Sequence, residues 1–156
     1  MQVYSISYRF NQRFMVPAQD AFRWSTDYRS DDLRLMGEKG FRRVKRLTDD
    51  TTILEEHVMQ ERKKIRKVKL VKINPLTLSW HNIHLEGPNK YSELIYEISP
   101  ERTRRSNLTF TGLLVVYAKN HISRDRLKHI ARKERQYDSR AWKLLASAMA
   151  KELQTQ

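Results

Sequence analysis

Residues 123–153, SRDRLKHIARKERQYDSRAWKLLASAMAKEL, contain no Gly or Pro and are rich in strong helix formers. At 1.5 Å per residue, about 31 residues make a helix of roughly 46 Å. Its apolar members Leu127, Ile130, Ala131, Tyr137, Ala141, Leu144, Leu145 and Ala148 recur at three- and four-residue spacings. They form one stripe that must be covered, and a helix of this length needs a long partner.

The rest of the chain supplies that partner as a sheet. Tyr4, Ile6, Tyr8 and Phe10 occupy every second position of residues 3–10, the alternation of a half-buried strand. Between residues 41 and 117, turn residues at TDDTT (48–52), NP (74–75), EGPNK (86–90) and SPERT (99–103) separate six strand-length pieces. These are 41–47, 51–60, 64–73, 76–85, 91–98 and 107–117, and their short connections predict an antiparallel meander. The piece KIRKVKLVKI (64–73) alternates imperfectly, which predicts a bulge or a solvent-facing edge.

Two short helices are expected after the first strand. In VPAQDAFRWSTDY (16–28), Pro17 suits a first helical turn and Ala21, Phe22 and Trp24 give an apolar side. A second turn is expected at 30–36, with Ser30 as cap, Asp31 and Asp32 at its positive end, and Gly37 and Gly40 to end it. The predicted fold class is α+β: a curved antiparallel sheet of about seven strands wrapped around the long C-terminal helix, as one domain over residues 1–156.

Composition narrows the function classes. Thirty-one Lys and Arg against 18 Asp and Glu give a net charge of +13, which attracts nucleic acid, anionic membrane surfaces or acidic partners at long range. There is no cysteine, so disulfides and thiolate chemistry are excluded. MQVYSISYRF lacks a secretory pattern, and no apolar run approaches the roughly 20 residues of a membrane-spanning helix. The expectation is a cytoplasmic protein with no integral membrane segment.

The order of elements and the VPAQDAFRWSTDY helix, followed by the Gly-ended LMGEKGFRRV, make the chain similar to the START-like, helix-grip superfamily, also called SRPBCC. That superfamily includes polyketide cyclases, lipid-transfer START domains and pollen allergens. The resemblance implies a hydrophobic cavity between the sheet and the C-terminal helix, receiving a lipid, sterol, polyketide or other apolar ligand. Fold alone does not assign an activity.

Several residues are candidates for the site. Glu134 lies seven positions from both Leu127 and Ala141, about 20° from each around the helix, so it shares their stripe. An inward carboxylate needs a partner, for which Tyr137, the Arg side chains at 102–105, His81, His84 and Tyr96 are candidates. The alternative is a Glu at the stripe's edge, paired with Lys or Arg at the rim. In LSWHNIHL (78–85), Trp80, Asn82 and His84 share one strand face and His81 and Ile83 the other. The two histidines therefore cannot hold a metal together, and no zinc-like spacing occurs elsewhere.

The expected ligand-binding residues are Trp80, His84, Tyr96, Phe110, Tyr137, Ala141 and Leu144 as wall, with Glu134 as the polar fixture. No cofactor is implied. No Gly-rich phosphate loop, Gly-x-Ser-x-Gly elbow or Cys/His pair occurs. The leading expectation is binding of a hydrophobic small molecule, lipid, polyketide or quinone-like. The alternatives are a cyclase/aromatase-like enzyme using a cavity carboxylate, and a basic adaptor that docks on RNA, ribosome or anionic membrane through RRVKR (42–46), ERKKIRKVKLVK (61–72), RTRR (102–105) and SRDRLKHIARKER (123–135).

Overall fold

In the computed structural model, which describes residues 1–154, the alternation that begins at Tyr4 continues past Phe10 and makes a longer first strand, β1 (Gln2–Phe14). The extension follows from its partner: β1 pairs antiparallel with β7 (Arg105–Ala118) from Gln2 opposite Ala118 to Phe14 opposite Ser106. The intervening elements are α1 (Ala18–Thr26), α2 (Asp32–Leu35), β2 (Gly40–Arg46), β3 (Thr51–Gln60), β4 (Lys63–Asn74), β5 (Ser79–Glu86) and β6 (Glu93–Arg102), and α3 (Arg124–Gln154) closes the chain. The sheet order is β1-β7-β6-β5-β4-β3-β2, antiparallel throughout. The expected meander, two short helices and closing helix are therefore all present.

The local differences have local causes. SPERT does not end β6, which runs through Pro100 to Arg102 with a register irregularity between them. Proline has no N–H to give a ladder and is tolerated at such a bulge. Residues 76–78 are turn rather than strand: Leu76 is 96% exposed, and Leu78 has a positive φ of 51°. The bulge expected in β4 falls between Val68 and Lys69 in the pairing with β5. Ser30 does not cap α2: the N-cap position is Asp31, which makes no side-chain cap bond, and Asp32 accepts the Arg29 backbone N–H at 3.0 Å. Gly37, at φ 79°, ends α2 as expected, with Gly37 N–H donating to Arg34 O and Glu38 N–H to Leu33 O, the reversal a left-handed residue allows.

α3 has the length its composition predicts, but its buried stripe is rotated. Ala141, Trp142, Leu145 and Met149 are buried, whereas Tyr137 and Leu144 are 45% and 43% exposed. The placement of those two on the cavity wall is corrected accordingly. Both 137/141/144/148 and 138/142/145/149 satisfy helical spacing. The second row is the one that reaches the aromatic residues of the sheet, at the cost of bringing Asp138 inward.

Candidate functional site

The concave face of the sheet has two halves of different chemistry. Toward β1, β7 and β6, alternate positions place Phe10, Phe14, Phe110 and Tyr96 inward, all buried. Phe10 stacks on Phe110 at 4.6 Å, Tyr96 meets Phe110 edge-on at 5.0 Å, and Trp80 of β5 lies flat against Tyr96 at 4.7 Å. Trp142 of α3 closes over Tyr96, Trp80 and Phe14 at 5.6, 6.0 and 6.1 Å. Phe22 of α1 meets Trp80 edge-on. Offset and edge-to-face rings at these distances add to the area they bury.

Toward β2, β3 and β4 the inner face is ionic. Thr52, Leu54, Glu56 and Val58 are the buried positions of β3, so its alternation carries a carboxylate into the interior. Glu56 Oε2 accepts Arg42 Nη2 and Nε at 2.7 and 3.0 Å, and its Oε1 meets Lys69 Nζ at 2.5 Å. Arg42 Nη1 also donates to Asp32 at 2.9 Å. Burial alone would raise the Glu56 pKa, but Lys69 and Arg42 hold it below the ordinary carboxylate range.

Beside this network, burial together with Lys69 and Lys67 pushes His84 down to about 3, so its imidazole is neutral. On α3, burial raises Asp138 to about 6 against the opposing effect of the hydrogen bond donated by the Tyr8 hydroxyl. Tyr8 can lie there because its cross-strand neighbour is Gly112: a Cβ at that position would come within 2.4 Å of the Tyr8 ring. Burial also raises the Glu134 pKa, opposed by the charges of Lys67 and Lys133.

A cavity of about 60 Å³ lies where the two halves meet, between the α1–α2 connection, the sheet and α3. Its wall includes Trp24, Tyr28, Arg42, Lys69, Trp80, Asn82, Tyr96 and Trp142. Asn82 Nδ2 is 3.4 Å from the Tyr96 hydroxyl, while Asn82 Oδ1 and the Tyr28 hydroxyl are buried with no hydrogen-bond partner. A larger groove of about 310 Å³, lined by Asp20, Arg23, Trp24, Asp27, Glu152 and Leu153, opens to solvent between α1 and the end of α3. It shares only Trp24 with the interior cavity.

No family model and no curated protein matches the chain in sequence. Solved structures match it in fold. The Zhui aromatase/cyclase from Streptomyces sp. R1128 matches with a TM-score of 0.81 at 9% identity, over 96% of each chain. A START superfamily protein from Mycobacterium smegmatis matches at 0.76 and 10% identity, over 93% of this chain and 97% of that one. Ara h 8.0201 matches at 0.66 and 9% identity, over 95% and 99%. The fold is the START-like helix grip. Identities this low carry the likeness no further than the fold.

Within this helix grip the residues singled out from sequence are dispersed. Trp80 and Tyr96 line the cavity; His84, Phe110 and Ala141 are buried on the inner surfaces outside its wall; Glu134 is half-buried. Tyr137 and Leu144 point outward, and Leu144 lies over Gly37. The residues that sequence reasoning passed over are Arg42, Lys69, Glu56, Asn82, Asp138 and Trp142. Arg42 and Lys69 sit in basic runs that read as solvated faces; for Glu56 the signal that could have found it is the alternation of TTILEEHV, which sets it on the same face as Leu54 and Val58. The outer side of α3 carries Arg124, Arg126, Lys128, Arg132, Lys133 and Arg140, all exposed and, among the described residues, without an ion pair. No described helix is long and apolar enough to cross a membrane, and no described group of three or more His, Asp or Glu is arranged to hold a metal ion.

Proposed function

We propose that this helix-grip protein encloses a hydrophobic small molecule, of the lipid, polyketide or quinone-like class, whose oxygen function meets Asn82 and Tyr28. The observation that carries this reading is a cavity walled by Trp24, Trp80, Tyr96 and Trp142 in which Asn82 Oδ1 and the Tyr28 hydroxyl lack partners. Buried polar atoms are ordinarily satisfied, and an unpaired pair inside an aromatic wall suits an apolar ligand with a hydroxyl or carbonyl.

At about 60 Å³ the cavity holds roughly two waters, against 300–1,000 Å³ for small-molecule pockets. A ligand therefore enters by displacing the α1–α2 connection. That connection is held by Arg29, which reaches Glu152 at 2.8 Å, and by Asp32 on Arg42. The experiment is native mass spectrometry after organic extraction, together with thermal shift by 1-naphthol. A co-purifying apolar compound, or a naphthol-dependent rise in Tm that Asn82→Leu reduces by more than half, is expected. No bound compound and no rise would overturn the reading.

A second reading, a cyclase-like enzyme using a cavity carboxylate, is favoured by the Tyr8–Asp138 hydrogen bond with Glu134 one turn away. A carboxyl group with a pKa near the working pH is suited to moving protons on a carbonyl substrate. This reading requires Asp138→Asn to abolish α-deuterium exchange on a bound aryl ketone such as 1-tetralone. Exchange unchanged from wild type rules it out.

A further inference from the structure

The fold leaves one side of α3 uncovered. Asp138, Trp142, Leu145 and Met149 form its inward row. At about 100° per residue, Arg126, Lys133 and Arg140 fall on the opposite side in one row, with Arg132 and Lys143 beside them. All five are exposed and, among the described residues, without an ion pair. His129, Gln136 and Ser147, also exposed, stand between them. From Arg126 to Lys143 the row is about 26 Å long.

The carboxylates of the same helix are sorted to the other side. Glu134 is half-buried, Asp138 accepts the Tyr8 hydroxyl, and Glu152 accepts Arg29 and the Trp24 indole. Asp125, in the first turn, is the one exposed acid of α3 and lies at the end of the row. Cations held within about a Debye length of one another repel. A polyanion that replaces their counter-ions relieves that repulsion and releases the ions.

We propose that the outward face of α3 docks on the phosphate backbone of duplex RNA. The proposal is independent of what the interior encloses. The net charge of +13 draws the polyanion in, and the row supplies the contacts. Helices that lie on membranes carry apolar side chains along with their cations, and protein interfaces have an apolar or aromatic centre. This row has neither: Tyr137 and Leu144 border it on one side, with Leu144 turned over Gly37. Single strands are held by stacking on aromatic rings, which the row also lacks. Between duplexes, the depth of the groove decides. α3 is backed by the sheet through Trp142, so a cylinder of about 10–12 Å cannot sink into a DNA major groove roughly 8.5 Å deep. The minor groove of A-form RNA is wide and shallow, and a ridge of long side chains reaches its phosphates and 2′-hydroxyls from outside.

The test is fluorescence anisotropy of the whole protein with a short RNA duplex as salt is raised, against a DNA duplex of the same sequence, single-stranded RNA and phosphatidylglycerol vesicles. The RNA duplex is expected to bind tightest, with a log–log salt slope of about −4 to −5 for five phosphate contacts. The triple variant Arg126→Gln, Arg132→Gln, Arg140→Gln should weaken binding at least about tenfold and flatten the slope by about 3. Lys45, Arg102 and Arg104 are exposed away from α3. Changing all three to Gln removes the same net charge and should weaken binding less than about threefold. The wild-type slope and competitor ranking keep the test decisive should a variant fold poorly. No binding at low salt, or equal losses in the two triple variants, overturns the docking face. DNA, single-stranded RNA or vesicles bound as tightly as the RNA duplex overturns the assignment of its occupant.

Discussion

The two halves of the gripped interior are stabilised in opposite ways. Phe10, Phe110, Tyr96, Trp80 and Trp142 are held by area and ring geometry, interactions that degrade gradually as volume is lost. Arg42, Glu56, Lys69 and Asp32 are held by mutual compensation, and removal of one member leaves the others charged in a poor solvent. An aromatic wall can thus be indifferent to small changes in its contents, while the ionic half fixes where each polar atom sits. The cavity lies on the seam, which is where a ligand with an apolar body and one oxygen would find both.

The largest expected effects test that contrast directly. Glu56→Leu and Trp142→Ala should each cost about 3–5 kcal/mol in urea unfolding. Only the first should be rescued by a second substitution: Lys69→Met in the Glu56→Leu background should recover about half the loss, because Arg42 keeps Asp32. If the double variant is no more stable than Glu56→Leu, the ionic half is not held by compensation and the comparison breaks.

A smaller effect appears with pH. His84 has a folded pKa of about 3 against an ordinary value of 6.5, so the unfolded chain takes up a proton the folded one refuses. Its contribution is complete above about 6.5 and declines on acidification. Asp138 has the opposite sign: its folded value of about 6 lies above the ordinary 3.8, so acidification between those values favours the folded state. From pH 7 to 4.5, the stability of wild type relative to His84→Gln should fall by about 2 kcal/mol, and relative to Asp138→Asn should rise by about 1–2 kcal/mol. Parallel pH profiles for the three proteins would show that neither group is enclosed as described.

The smallest effect belongs to the exterior. Arg29 and Glu152 are about one-third exposed, so Arg29→Ala should cost under about 1 kcal/mol in the same unfolding assay. A loss as large as that of Glu56→Leu would erase the distinction between inner and outer ion pairs.

Most of the fold was legible in the sequence. Alternation in 3–10 and in TTILEEHV, turn residues between the strand-length pieces, and the uninterrupted helix formers of 123–153 each impose their own local conformation. They required a strand, two short helices, six strands and a closing helix, whatever the order in space. The candidate site was legible only in part. Trp80, Asn82 and His84 share a face by period two, which the structure retains. Arg42, Lys67 and Lys69 could not be told from the surface cations around them, because a basic run has the same composition whether or not one face of it is covered.

Which row of α3 turns inward was likewise undecided by spacing, since Tyr137 and Leu144 fit the period as well as Asp138 and Trp142. Tertiary structure settled it: the indole of Trp142 fits among Phe14, Trp80 and Tyr96, and the rigid helix then brings Asp138 to Tyr8 over Gly112. The sequence by itself determined the elements and their faces, because those depend on neighbours along the chain. Only the tertiary structure decided which charges are enclosed, because burial depends on what lies across the fold.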